Sequence, residues 1–376
     1  QAPRIRGAER PSMPVLPEVV VTPIFAFCVA VLTMPALNRF AARAGFVDVP
    51  NSRKIHTHPI PVLGGLAVYL GVVATLAMRG HTDSRVILMM FASFLVMLLG
   101  IVDDRLDLHS RYRLMLQVAL AAGLSLSGVR FYMVPFEPLD HLITILWVVG
   151  VINAMNCLDC ADGAAGGTCV VVFLALAGLA AANGREFVSQ AALAGLGAVV
   201  GFLVYNVPPA KVFMGDAGST FLGLMVAVLA ILAQRQPVDA WNFPLVPFVL
   251  VVPVFDIFWV HYRRYQAGIR SIRDLLSSTG KDHLPHRLMT RGLSKLACMA
   301  VVTFLTVLSA TAVCCINAGL WVVAVMAMLA LAAFLWHLEE NAEVVIRPED
   351  HVAIYQLRSR KVTALQPTLH HEEGVA

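Results

Sequence analysis

The sequence predicts an all-α polytopic membrane protein, and three observations carry that prediction. Of the 376 residues, 58% are hydrophobic and only 14% charged, and the mean hydropathy is +0.75, far too apolar for a water-soluble chain of this length. Apolar stretches of roughly 20 residues, enough to cross a bilayer as a helix, recur along the chain. The Lys and Arg residues gather in alternate connections between those stretches, which is the bias that orients a chain in a membrane.

Residues 1–16 are polar and Pro-rich, with Arg4, Arg6 and Arg10, and lack the order of a cleaved signal peptide. They read as a short extracytoplasmic tail. Spans are expected near 17–38, 62–79, 85–102, 114–130, 139–154, 168–183, 188–206, 218–234, 242–261, 296–315 and 318–337. That makes about eleven transmembrane helices, the fifth of them short. They form one transmembrane domain over 17–337, followed by a cytoplasmic tail over 338–376. The seven cysteines lie mostly in or beside apolar stretches, which argues against a secreted disulfide framework. Cys157 and Cys160 form a lone C-x-x-C, and without a second pair they do not make a zinc site. No nucleic acid partner is expected, and a homodimer is left open.

The odd-numbered connections carry Arg39, Arg43, Arg53 and Lys54, then Arg105, Arg111 and Arg113, then a glycine-rich loop, then Lys211, then a long basic segment from Arg263 to Lys295. The even-numbered ones are short and sparsely charged. The odd connections are therefore placed in the cytoplasm, and every unusual polar motif falls on that face.

The first motif, Arg53 to Gly65, puts basic residues before Pro61, Gly64 and Gly65 at the start of a span. That arrangement suits an anion such as phosphate at a helix N-terminus, although juxtamembrane charge explains Arg53 and Lys54 equally well. In the second, Asp103, Asp104 and Asp107 precede Arg111, Arg113 and Gln117. Adjacent carboxylates repel unless a cation or proton intervenes, so a metal site or a general base is one reading. A solvated helix end with Asp–Arg pairs is the other. The third, Ile152 to Gly167, sits between two spans and holds Asn153, Asn156, Asp159, Asp162, Gly163, Gly166 and Gly167. Asp159 and Asp162, three apart, share a face in a helical turn and can address a cation or a polyhydroxylated ligand; helix caps are the bland alternative. The fourth runs from Lys211 to Thr220, where Asp216 between Gly215 and Gly218 offers oxygen to Mg²⁺ beside phosphate, or serves with Ser219 as a helix cap. The fifth, Asp282 to Leu288, brings His283, His286 and Arg287, which together could clamp a pyrophosphate, although two surface histidines are more often incidental.

These five ordered motifs, from about Val47 to Leu296, resemble those of the polyprenyl-phosphate N-acetylhexosamine-1-phosphate transferases (glycosyltransferase family 4), most of all the bacterial undecaprenyl-phosphate GlcNAc-1-phosphate transferases. The resemblance implies Asp216 as the Mg²⁺ ligand, with Mn²⁺ also allowed, and Phe213 as a stacking surface near the uracil. It implies Asn156, Asp159 and Asp162 in the nucleotide pocket, Asp103 and Asp104 on the lipid phosphate with Asp103 as base, and Lys54, His283, His286 and Arg287 on phosphates. Asp103, Asp104, Asp216, His283 and His286 make the catalytic set. Two departures stand out. The family's D-G-x-D-G reads Asp159-Cys160-Ala161-Asp162-Gly163 here, and its H-x-H-H-R-L reads His283-Leu284-Pro285-His286-Arg287-Leu288.

The expected function is transfer of a sugar 1-phosphate, GlcNAc-1-phosphate first, from a UDP-N-acetylhexosamine to undecaprenyl or another polyprenyl phosphate, releasing UMP. The active site is expected on cytoplasmic loops and helix ends. A secondary transporter would hold its carboxylates at the bilayer midplane, whereas these lie at span ends. A CDP-alcohol phosphotransferase would need Ala-Arg where Gly166-Gly167 stands, and a soluble prenyl-diphosphate synthase would not carry these spans.

Overall fold

The computed structural model describes residues 16–50, 58–80, 84–106, 108–234, 246–271, 274–275, 280–339, 342–347 and 352–357. In chain order the helices are α1 (Leu16–Ala44), α2 (Gly64–Met78), α3 (Ser84–Leu106), α4 (Ser110–Leu126), α5 (Glu137–Leu158), α6 (Ala164–Ala182), α7 (Glu186–Asn206) and α8 (Gly215–Leu232). A 3₁₀ turn, Val246–Leu250, leads into α9 (Val251–Gln266), followed by α10 (Leu284–Thr290), α11 (Lys295–Asn317) and α12 (Trp321–Glu339). The all-α membrane class is as expected: among the described residues, nine helices are long and apolar enough to cross a bilayer.

Every expected span between 17 and 337 coincides with a helix, but two fall short of the long apolar set. α2 has 15 residues. α4 has 17 and carries Arg111 and Arg113 in its first turn. The fifth helix, expected to be short, instead has 22 residues and runs on through Asn153 and Asn156 to Leu158. The glycine-rich connection is therefore a five-residue turn, 159–163, between α5 and α6. Pro23 and Pro35 sit inside α1 without ending it, as neighbouring helices allow in a membrane.

Packing follows apolarity. α8 is hydrophobic on all sides and buried from Ala217 to Ile231, which makes it the axis of the bundle. α2, α3, α5 and α6 surround it, with α1 and α7 paired outside. Side chains such as Phe91, Leu146, Leu174 and Phe258 are exposed at mid-helix, where lipid replaces water as solvent. A second, smaller core joins Leu158, Val252, Leu284, Leu288, Val302, Leu331 and Leu338, and it seats α10 between α9, α11 and α12.

The strands are short. β1 (Val47–Asp48) pairs antiparallel with β2 (Ile60–Pro61). The segment expected as a plain tail contributes a hairpin, β4 (Ala342–Arg347) with β5 (Val352–Leu357). Its β5 also pairs in parallel with β3 (Gly280–Lys281), in the register Gly280↔Ala353 and Lys281↔Ile354. The hairpin thus props the strand that leads directly into His283.

Candidate active site

Five connections meet at one end of the bundle. Asn206 ties two of them: its Oδ1 accepts the Gly163 N–H at 2.9 Å and its Nδ2 donates to the Val212 carbonyl at 2.8 Å. The first connection joins through backbone. Phe213 N–H donates to Pro61 O at 2.8 Å, Gly64 N–H to Phe213 O at 3.0 Å and Gly65 N–H to Met214 O at 3.1 Å. Those two N–H groups, in the motif read as suiting an anion at a helix N-terminus, are spent on α8's lead-in; the motif's basic residues, Arg53 and Lys54, lie outside the described residues. Gly215 has φ +72°, and a Cβ there would meet Val62 O at 2.5 Å and Asp104 Oδ2 at 2.8 Å. Only glycine lets the chain turn so close beneath Asp104.

The convergence encloses an open cleft of about 360 Å³. Of the expected site residues, Asp104, Asn156, Asp159, Asp162, Phe213 and Asp216 line it, as does His286. Asp104 Oδ1 accepts the Asp216 N–H at 3.1 Å, and Asn156 Oδ1 accepts from Ser219 Oγ at 2.7 Å. Ser219 is therefore a brace for Asn156, and the N-cap position of α8 is Met214. Three helices, α6, α8 and α11, begin at this cleft, so their partial positive ends favour an anionic ligand.

Three expected residues stand elsewhere. Asp103 is buried behind the cleft: its Oδ1 accepts the Leu108 N–H at 2.7 Å, and its Oδ2 takes Arg113 Nη1 at 2.5 Å. Arg113 Nη1 also reaches Asp216 Oδ2 at 2.9 Å, so the Asp–Arg pairing read as the bland alternative is present and links two motifs. His283 and Arg287 are buried on Asp256, outside the lining. Asp256 Oδ2 pairs with His283 Nδ1 at 3.0 Å, while its Oδ1 takes the Leu284 N–H at 2.8 Å and Arg287 Nη2 at 2.5 Å. This one carboxylate of α9 anchors the start of the helix that carries His286. Lys54 lies outside the described residues.

Electrostatics sort the groups further. Burial, then the charges of Asp216, Asp104 and Asp162, push Asp159 well above the usual carboxylate range. Burial alone would lower His283, but hydrogen bonds to Asp256 and Cys157 outweigh it and raise the imidazole to about 10. His286 is pulled down to about 4 by burial and then by the charge of His283, so at neutral pH it is an uncharged imidazole. Cys160 lines the cleft, its thiol pushed well up by burial and then by Asp256, Cys157 and Asp159.

The oxygen-rich lining fits a hard divalent cation. Among the described residues no group of three or more His, Cys, Asp or Glu is arranged to hold a metal by itself. Mg²⁺ needs no such cage, because it keeps waters and uses one or two carboxylates plus substrate phosphates.

Asp256, Asn206 and Asp48 stand out in no sequence motif; Lys295 shows there only as a marker of orientation, and Arg113 as that and as one partner of the Asp–Arg alternative. Asp256 carried a usable signal, since an ionisable residue inside an apolar span is a functional candidate by default.

Fold and site together define an integral membrane protein with a carboxylate-lined cleft where the loops of a helix bundle converge. Residues 86–234 match the family described as Glycosyl transferase family 4. A Bacillus subtilis (strain 168) protein named a probable undecaprenyl-phosphate N-acetylglucosaminyl 1-phosphate transferase is 32% identical over 321 residues, 81% of this chain and 88% of the relative. The undecaprenyl-phosphate alpha-N-acetylglucosaminyl 1-phosphate transferase of Haemophilus influenzae is 30% identical over 300 residues, 76% of this chain and 83% of the relative. The chain belongs to glycosyl transferase family 4.

Proposed function

We propose that this protein transfers N-acetylglucosamine 1-phosphate from UDP-N-acetylglucosamine to undecaprenyl phosphate in a bacterial cytoplasmic membrane, with its cleft on the cytoplasmic side, and so starts a cell-envelope glycan. The observation that carries the reading is the meeting of Asp104, Asp159, Asp162, Asp216 and Phe213, from three distant motifs, in one cleft. Support comes from the relatives, which bear that activity in their names. An oxygen of the lipid phosphate attacks the β-phosphorus of the donor. The bond from that phosphorus to the oxygen bridging to the α-phosphate breaks, and UMP leaves with the bond's electrons.

Each residue has a part. Asp216 would hold Mg²⁺ or Mn²⁺, which supplies charge neutralisation for the transferring phosphoryl group. Phe213 offers a ring to the uracil, and Asn156, Asp159 and Asp162 form the nucleotide wall. Asp104 faces the cleft and addresses the acceptor phosphate. Asp103, with both oxygens engaged, positions Arg113 against Asp216 rather than acting as the base. An ionised lipid phosphate is nucleophilic enough that no strong base is required. His286, neutral and at the cleft wall, donates a hydrogen bond to a phosphate oxygen. Asp256, through His283, Arg287 and the Leu284 N–H, holds it there.

Incubation of the purified protein with Mg²⁺, undecaprenyl phosphate and a panel of UDP-sugars should release UMP with UDP-N-acetylglucosamine. Asp216→Asn should lower turnover by orders of magnitude in a protein that still inserts. Absence of UMP with every UDP-sugar would refute the reading.

A further inference from the structure

Among the described residues that line the cleft, carboxylates outnumber cations. Asp48, Asp104, Asp159, Asp162 and Asp216 all line it, and among the described residues His286 is the one histidine beside them. Among the described lining residues, the only side chain with a fixed positive charge is Lys295. Arg113 is not part of the lining; it is engaged by Asp103 and Asp216 with 32% of its side chain exposed. Those carboxylates that stay ionised repel a ligand with two phosphates, and a fixed cation in the wall offsets that repulsion alongside a bound metal.

Lys295 is placed for that task. It is the first residue of α11, whose start is fixed by the Ala297 N–H donating to Ser294 Oγ at 3.2 Å. From this anchored backbone a flexible four-carbon stem carries the ammonium. Its Nζ rests 3.0 Å from Asp162 Oδ2, with 29% of the side chain exposed. The same Asp162 oxygen also accepts the Ala210 N–H at 3.2 Å. Asp162 therefore keeps a donor when the lysine turns away.

We infer that Lys295 is a substrate-binding residue whose ammonium leaves Asp162 to bind the diphosphate of the nucleotide-sugar donor. The inference rests on the nucleotide-sugar reading above. It assigns a role to a residue beyond the segment 86–234 that matches the family. Asp162 acts as a parking site that holds the cation in the cleft until the phosphates arrive, and the donor's negative charge outcompetes a single carboxylate.

The test measures UDP binding to the purified full chain with Mg²⁺ present, by calorimetry, alongside steady-state kinetics. Lys295→Met should weaken UDP about 10- to 100-fold, the worth of one charge-assisted hydrogen bond, and Lys295→Arg should recover most of it. The KM for UDP-N-acetylglucosamine should rise with the UDP dissociation constant, while the KM for undecaprenyl phosphate stays within about threefold. Should Lys295→Met not fold, the parent protein serves: Mg²⁺ and UDP should protect Lys295 from reductive methylation, read by peptide mass spectrometry. Failure of the parent to bind UDP overturns the nucleotide-sugar reading, and this inference with it. UDP binding that is unchanged in Lys295→Met, or methylation of Lys295 unaffected by UDP, overturns the inference alone. A KM change confined to undecaprenyl phosphate assigns the lysine to the acceptor and equally overturns it.

Discussion

Replacing Gly65 with alanine tests whether the closeness of α2 to α8 sets the cleft. An ideal Cβ on Gly65 would stand 2.1 Å from Gly218 Cα, 2.5 Å from Gly218 N and 3.0 Å from Met214 O. All three are backbone atoms, so no side chain can swing aside. Ordinary contact begins at 3.4 Å, and the two helices must part by about 1 Å to accept the methyl. That movement strains the Gly64 N–H to Phe213 O and Gly65 N–H to Met214 O bonds, at 3.0 and 3.1 Å. Overpacking costs about 1–3 kcal/mol and two weakened hydrogen bonds about 1 kcal/mol each. Better helix propensity returns about 1 kcal/mol. The net expectation is about 2–4 kcal/mol of destabilisation. Phe213 and Asp216 flank Met214, so a displacement near 1 Å should also lower turnover about 100-fold. The assay is thermal unfolding of the detergent-purified protein together with UMP release. Gly123→Ala and Gly150→Ala, where a Cβ meets nothing within 4 Å, are the controls and should match the parent in both. A Gly65→Ala protein with the parent's melting temperature and turnover would refute the reasoning.

Two other expectations concern the cleft and its orientation. A small maleimide should inactivate the enzyme slowly, because Cys160 lines the cleft while burial and neighbouring charges disfavour its thiolate. UDP-sugar with Mg²⁺ should protect it, and Cys160→Gly should remain active but resist the reagent; equal inactivation of Cys160→Gly would remove Cys160 from the cause. In a cysteine-free background, a cysteine at Ser110, beside the cleft end of α3, should stay unlabelled by an impermeant thiol reagent in intact cells. One at Asn183, which caps the opposite end of α6, should react. The reverse pattern would put the cleft outside the cell.

The local signals in the sequence were enough for the helices and for the motifs. Apolar length is a property of a segment alone, so each span between 17 and 337 was legible. Basic residues in alternate connections likewise put five polar motifs on one face before any contact was known. The motifs' internal arrangement was not legible. Asn153 and Asn156 read as loop residues because polar side chains interrupt an apolar stretch, yet α5 continues through them. It does so because Asn153 Nδ2 finds Gln117 Oε1 at 2.7 Å on α4 and Asn156 finds Ser219 on α8. At Gly64 and Gly65 the sequence displays N–H groups at the start of a span without displaying the carbonyls of residues 213 and 214 that take them.

Partner choice across long separations is what only the tertiary structure decided. Asp103 and Asp104 are identical in type and adjacent, but packing turns Asp104 into the cleft and Asp103 onto Arg113. His283 and His286 are three residues apart, and Asp256 draws the first into the protein while the second faces the ligand space. The reason is physical: a buried charge must find an opposite charge or a donor nearby. That partner is fixed by which helices touch, not by neighbours in the chain. Lys295 likewise shows only its sign in the sequence, and its meeting with Asp162, 133 positions away, exists only once α11 has packed against the α5–α6 turn.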